Sequence, residues 1–213
     1  KLNIIPKEAG EKITQAAKID IIDWNKLKKR TSIVGYPILP LVEQLSEKVE
    51  GNFGQFCHWG ATTQDIMDTA DILQIRKGLE LLSKDLKSIS DALEKIVEYH
   101  VKTPMAGRTH LQHALPISFG YKASTWLSGI DRHHKRLEEI KKRIFNVSFF
   151  GAAGTLASLG EHDGLKTQST LAEELDLNVP DVSWHSIRDN FCEVTGWLAM
   201  VAASLGKIAY DVM

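Results

Sequence analysis

The sequence predicts an all-α protein, a long-helix bundle preceded by a small helical N-terminal domain. Three observations predict it: sustained heptad stripes, scarce apolar/polar alternation of the strand type, and glycine or proline between the stripes. From Leu79, apolar residues recur at Leu82, Leu86, Leu93 and at Ile89 and Ile96, with Lys84, Lys87 and Asp91 on the opposite side. Steps of three and four keep such residues on one face of a helix. A second stripe runs through Phe119, Ala123, Trp126, Ile130, His133, Leu137, Ile140 and Ile144, and a third through Phe191, Val194, Leu198, Val201, Leu205, Ile208 and Val212. Stripes of this length are bundle helices.

The punctuation between stripes orders the remaining elements. Short helices are predicted over residues 7–17 and 39–49, and a helical run begins at Asp65 and continues to Ile75. A boundary near residue 78 separates an N-terminal domain, 1–78, from a central bundle domain, 79–213. Pro104, Gly107 and Pro116 interrupt the pattern, because proline lacks an amide donor and glycine favours turns, so GRTHLQHAL is read as a loop. Gly151, Gly154 and Gly160 end the second long helix, the short run 147–150 is read as a helix end, and a further amphipathic helix is expected over 165–175 before Pro180. The third stripe is still in phase at Met213 and no Met begins the chain, so a polypeptide interrupted inside a helix is expected.

Composition narrows the function classes. The 213 residues are 43% hydrophobic and 25% charged, enough apolar material for a sizeable core. A net charge of −1 provides no global attraction to nucleic acid or anionic lipid, and the KKR runs at 28–30 and 141–143 lack interleaved aromatics. Neither nucleic acid nor membrane is an expected partner. No apolar run is read as approaching the ~20 residues of a membrane span, and KLNIIPKEAG has no signal-peptide core. Cys57 and Cys192 lack a metal or redox spacing and read as buried free thiols, which points to a reducing, cytoplasmic compartment.

Two segments carry the chemistry. In HWGATTQD, residues 58–65, Thr62 and Thr63 precede a helix, where hydroxyls and free amides can face a carboxylate. Thr62 can equally cap that helix, with Asp65 three residues on as the return half of a capping box; the two roles are compatible. His58 alone reads as a structural histidine. In GRTHLQHALP, residues 107–116, His110 beside Thr109 suits proton transfer, since imidazole titrates near ~6.5. His113 adds a second imidazole, but no third ligand stands at a recognisable spacing, so no metal is expected. The glycines at 151, 154 and 160 follow no strand of a βαβ unit and do not suggest a dinucleotide.

The order HWGATTQDIMDTA, TPMAGRTHLQHALPISFG, FFGAAGTLASLG and SWHSIRDN resembles the fumarase/aspartase superfamily from about Ile4 onward, most of all the 3-carboxy-cis,cis-muconate cycloisomerase branch, then adenylosuccinate lyase. The resemblance implies a helical homotetramer with active sites built from several subunits, no cofactor, and a small-molecule di- or tricarboxylate substrate. The implied reaction is reversible β-elimination: a proton is removed beside a carboxylate, an aci-carboxylate forms, and a C–N or C–O bond breaks. It further implies that His110 protonates the leaving group, that His58, Thr62, Thr63 and Thr109 line the substrate pocket, and that Arg188 holds structure or carboxylate. The superfamily's serine loop, of the pattern GSSxMPxKxN, has no counterpart in these residues and is expected beyond Met213, so this chain alone is expected to be inactive. RTSIVGYP where adenylosuccinate lyases carry an ETRHDV-like segment, and Ile187 where they carry glutamine, disfavour that activity. His110 where bacterial cycloisomerases often carry tryptophan points the other way. A helical scaffold without catalysis is the alternative of another class.

Overall fold

In the computed structural model, which describes residues 2–213 and only the backbone at 161 and 162, helices account for most of the chain. The elements run α1 (Lys7–Ala16), α2 (Trp24–Val34), α3 (Ile38–Lys48), α4 (Thr63–Tyr99), β1 (Pro104–Thr109), β2 (Gln112–Ser118), α5 (Phe119–Ile144), α6 (Gly160–Leu175) and α7 (Asp189–Val212), with short 3-10 turns between some of them. The chain divides into two compact units, one of residues 1–72 and 146–186, the other of 73–145 and 187–213. The sequence reading divides the chain once, near residue 78; the units divide it at three places, because residues 146–186 join the first unit. Gly78 stands beside the boundary drawn from the sequence. It lies inside the uninterrupted α4, and a Cβ placed there would meet nothing within 4 Å.

The second unit is built on the three stripes. Leu79, Leu86 and Leu93 of α4 bury against Ala123, Trp126, Ile130, Leu137, Ile140 and Ile144 of α5 and Val194, Trp197 and Val201 of α7. Helix α5 covers the predicted stripe from end to end, and Ser118 starts it by accepting from the Tyr121 amide. In α7 the buried seam passes through Trp197, 1% exposed, rather than Leu198, which is 37% exposed. The Trp197 indole N–H donates to the His133 carbonyl at 3.0 Å, which satisfies its polar atom and fixes its rotation. At the far end of α7, Asp211 accepts from the Trp126 indole at 2.8 Å, from Lys122 at 2.9 Å and from Lys207.

Helix α7 also corrects the expectation that no run could span a bilayer. By length and composition it qualifies, with an 18-residue window of mean hydropathy 1.2 of which 17% is buried. A bundle helix with apolar residues beyond its buried seam meets the same criterion, and Leu198, Met200, Tyr210 and Val212 are such residues.

The segment read as a loop is a two-stranded antiparallel ribbon, β1 with β2, in which Thr109 faces Gln112. A bulge sets Gly107 against Ala114 and Leu115, and a Cβ at Gly107 would lie 2.6 Å from the Leu115 carbonyl. In a ribbon of two strands each strand is an edge, so Pro116 is tolerated where an inner strand would exclude it.

In the first unit, a smaller core of Val147, Phe149, Leu156, Leu159 and Ala172 is flanked by Ile4, Ala61, Leu171, Leu175 and Leu177. Residues 147–150 are not a helix end. They form a buried extended segment held on all sides: the Val147 amide donates to the Asn178 carbonyl at 3.0 Å, the Trp184 indole donates to the Val147 carbonyl at 3.1 Å, and Gln168 donates to the Phe149 carbonyl at 2.8 Å. Helix α2, absent from the sequence reading, buries no residue but has both ends marked. Asp23 accepts from the amides of Asn25 and Lys26, and Gly35 closes the helix at φ 94°.

Candidate active site

The sequence-predicted residues fall in two sets, one in each unit. His58, Thr62 and Thr63 belong to the first. His58 takes a positive φ of 63°, a conformation in which histidine is enriched among non-glycine residues, and Gly60 follows at φ 77°. Gly60 cannot be replaced without displacement, since a Cβ there would lie 2.6 Å from Leu159. The turn they make carries the chain into α4. His58 is half-buried, and its Nε2 is a buried atom with no hydrogen-bond partner among the described residues.

The start of α4 shows half of the expected capping box. Asp65 Oδ2 accepts from the Thr62 amide at 2.9 Å, but among the described residues the hydroxyls of Thr62 and Thr63 form no hydrogen bond. Both residues are half-buried. Two hydroxyls and the unpaired amides of a first helical turn therefore remain available to an anion, favoured also by the helix dipole.

Asp65 itself does far more than cap. Its side chain is fully buried, and it gathers two distant segments. Oδ2 also accepts from the Gly151 amide at 3.0 Å, while Oδ1 accepts from the Phe150 amide at 2.9 Å, from Ser148 Oγ at 3.4 Å and from His185 Nε2 at 2.7 Å. An ionised carboxylate is acceptor-only, so Asp65 accepts from each of these groups, the His185 Nε2–H included. One turn further along α4, Thr69 Oγ1 exchanges two bonds of 2.9 Å with the backbone of Ser148. Gly151, at φ 72°, lets the turn approach the Gly60 carbonyl, 3.3 Å from where a Cβ would stand. The sequence reading took Asp65 only as a weak cap and passed over His185. The signal available was their presence in two of the four quoted motifs.

Thr109, His110 and Arg188 belong to the second unit. The ribbon closes on His110 and Leu111, at φ 46° and 61°, the left-handed pair of a type I′ turn in which glycine and asparagine are usual. Strain of this kind persists where surrounding structure over-determines it, and it collects at functional positions. His110 and Thr109 are exposed, and among the described residues the His110 imidazole has no hydrogen-bond partner. Arg188 stands immediately before α7, half-buried, its guanidinium carbon 4.5 Å from the centre of the Phe191 ring. Among the described residues no group of three or more His, Cys, Asp or Glu side chains could hold a metal ion, and the two free thiols are not the buried pair expected: Cys57 is half-buried and Cys192 exposed. A groove of about 840 Å³ beside residues 2–7 and α6 includes none of the six predicted residues.

One buried histidine lies apart from both sets. In the second unit His133 is 4% exposed, with Nε2 2.8 Å from Ser204 Oγ and Nδ1 3.4 Å from Arg136. Since a guanidinium can only donate, Nδ1 accepts and Nε2–H donates to the serine. Burial first, then the positive Arg136 and Arg132, lowers the pKa of this imidazole.

Comparison with known proteins extends the resemblance. A protein-family profile described as "Lyase" matches residues 1–213. A solved fumarate lyase from Mesorhizobium sp. BNC1 is 56% identical with a TM-score of 0.95, covering 99% of this chain and 49% of that one. Trans-aconitate decarboxylase 1 of Mycosarcoma maydis is 43% identical over 211 residues, 99% of this chain and 43% of the relative. The 3-carboxy-cis,cis-muconate cycloisomerase of Pseudomonas aeruginosa is 39% identical over 215 residues, 100% of this chain and 47% of the relative. The chain thus spans less than half the length of each of these relatives. With its whole length matched to the family and its mainly helical architecture shared with solved members, the chain belongs to the lyase family of the fumarase/aspartase superfamily.

Proposed function

We propose that this chain contributes the leaving-group acid and a carboxylate seat to an enzyme of reversible β-elimination, acting on a di- or tricarboxylate and most like 3-carboxy-cis,cis-muconate cycloisomerase. The observation that carries the reading is the presentation of His110: a strained two-residue turn holds an exposed imidazole that has no hydrogen-bond partner among the described residues. Thr62 and Thr63 with the first amides of α4 seat a substrate carboxylate, with His58 Nε2 as a further partner, Thr109 beside the acid and Arg188 as a second cation for carboxylate or structure. The abstracted proton goes to a base outside these residues. As the C–N or C–O bond breaks, His110 delivers a proton to the departing atom, and donors already aimed at the aci-carboxylate lower the barrier without reorganising.

Relatives of this chain include a decarboxylase, a thioether-type N-acetyl-S-(2-succino)cysteine lyase, a cycloisomerase and an adenylosuccinate lyase, all named for carboxylate-bearing substrates. Their shared demand is the carboxylate seat rather than one leaving group. A full-length protein assayed on muconolactone, succinyl adducts and trans-aconitate should turn over one of these, and His110→Ala should cost at least ~10² in kcat. Undiminished turnover by that variant would remove His110 from the chemistry. We further propose a cytoplasmic homotetramer in which the apolar face of α7, with Leu198 and Met200 exposed here, is covered by other copies.

A further inference from the structure

Three of the four motif segments meet at one carboxylate. HWGATTQD supplies Asp65 and the Thr62 amide, FFGAAG supplies the amides of Phe150 and Gly151, and SWHSIRDN supplies His185. These residues lie in the first unit, and those that the other two segments bring to Asp65 stand 83 to 120 positions from it along the chain. Within this knot the His185 contact is the shortest at 2.7 Å, and its ring also packs edge-on against the ring of Phe150, with 5.3 Å between ring centres.

We infer that His185 is a positioning residue which, through Asp65, fixes the start of α4 and the Gly151 turn in the arrangement that receives the substrate carboxylate. This rests on the reading that Thr62 and Thr63 form that seat. The reasoning is geometric. Oδ2 of Asp65 is shared by the amides of Thr62 and Gly151, so any rotation of the carboxylate shifts both together. Such rotation is opposed at Oδ1 by the Phe150 amide, the long contact with Ser148 and the His185 imidazole. Removing the imidazole leaves one good donor at Oδ1, and a buried carboxylate short of donors draws in water or swings toward other partners. Either movement displaces Thr62, where errors well under an ångström matter for preorganised contacts. His185 need not touch substrate for this effect.

The test uses full-length protein and whichever substrate of the panel above the wild type turns over. His185→Leu deletes the donor. His185→Gln restores an amide N–H at about the reach of Nε2, and His185→Asn offers one too short to arrive. The expected result is a KM raised about tenfold or more in the Leu and Asn variants with kcat changed less than about threefold, and a Gln variant within about threefold of wild type in both. KM is independent of the fraction of enzyme folded, so a merely structural role would lower kcat per milligram and leave KM unmoved; that outcome overturns the inference. A collapse of kcat at constant KM overturns it too, by placing His185 in the chemistry. If the Leu variant does not fold, the Asn and Gln pair carries the same comparison. Wild-type protein that turns over no member of the panel refutes the functional reading before any variant is made, and this inference falls with it.

Discussion

Replacing Asp65 by asparagine changes one atom and tests the whole first unit. The carboxylate accepts from three backbone amides, a serine hydroxyl and an imidazole, all without solvent access to its own side chain. An asparagine must place its NH₂ at one of the two oxygen positions. At the Oδ2 position it faces the amides of Thr62 and Gly151, and two donors lose their acceptor. At the Oδ1 position it faces the Phe150 amide, while Ser148 and a tautomerised His185 can turn to accept. The second arrangement is cheaper, yet it still strands one buried amide at about 1–3 kcal/mol. It also converts the remaining charge-assisted bonds to neutral ones, which are roughly half as strong. Together these give an expected loss of about 2–4 kcal/mol. Guanidinium unfolding of the full-length protein, followed by far-UV circular dichroism, reads the loss, and amide exchange should accelerate at Phe150 or at Thr62 and Gly151. An Asp65→Asn protein within about 0.5 kcal/mol of wild type, with those amides still protected, would refute the account of this carboxylate as the organising acceptor.

Further expectations concern the bundle. Trp197→Ala removes the largest fully buried side chain and its bond to the His133 carbonyl, so unfolding measurements should show a loss of roughly 3–5 kcal/mol; under about 1.5 kcal/mol would mean that the seam runs elsewhere. Because the His133 pKa is lowered on folding, the unfolded chain binds the extra proton: stability is whole above about pH 6.5 and falls as pH drops below it. A His133→Gln protein should show a flatter stability profile between pH 7 and 5, and an unchanged slope would contradict the assignment. Full-length protein should sediment as an oligomer at micromolar concentration, and Leu198→Glu on the exposed face of α7 should shift it toward monomer.

The bundle was legible because burial repeats every three or four residues. Along α5 every stripe position from Ala123 to Ile144 is buried, His133 included, and the polar exception is resolved by Ser204 across the helix pair. Legibility failed where structure depends on partners rather than period. The ribbon carries Gly107 and Pro116, residues that normally end elements, and its exposed strands leave no alternation to detect. Helix α2 buries nothing, so it has no stripe, although Asp23 and Gly35 stood at its ends as readable signals. The division near residue 78 followed a change from choppy to regular patterning, and α4 runs across that position without interruption.

The site divides along the same line. Thr62, Thr63 and His110 could be singled out because a helix start and an imidazole beside hydroxyls have local signatures, and the structure adds what locality cannot show: hydroxyls without a hydrogen bond among the described residues at one and a left-handed turn at the other. Asp65 illustrates the limit. Its bond to the Thr62 amide spans three residues and was readable as half a capping box, whereas its bonds to Ser148 and His185 span 83 and 120 and have no local pattern. Those long-range bonds give a physical reason for three of the four motifs to occur together in this chain. A buried acceptor needs specific donors from each segment, so the segments are constrained together. Residues such as Asp65 and His185 can therefore be as necessary to a carboxylate seat as the groups that touch the substrate.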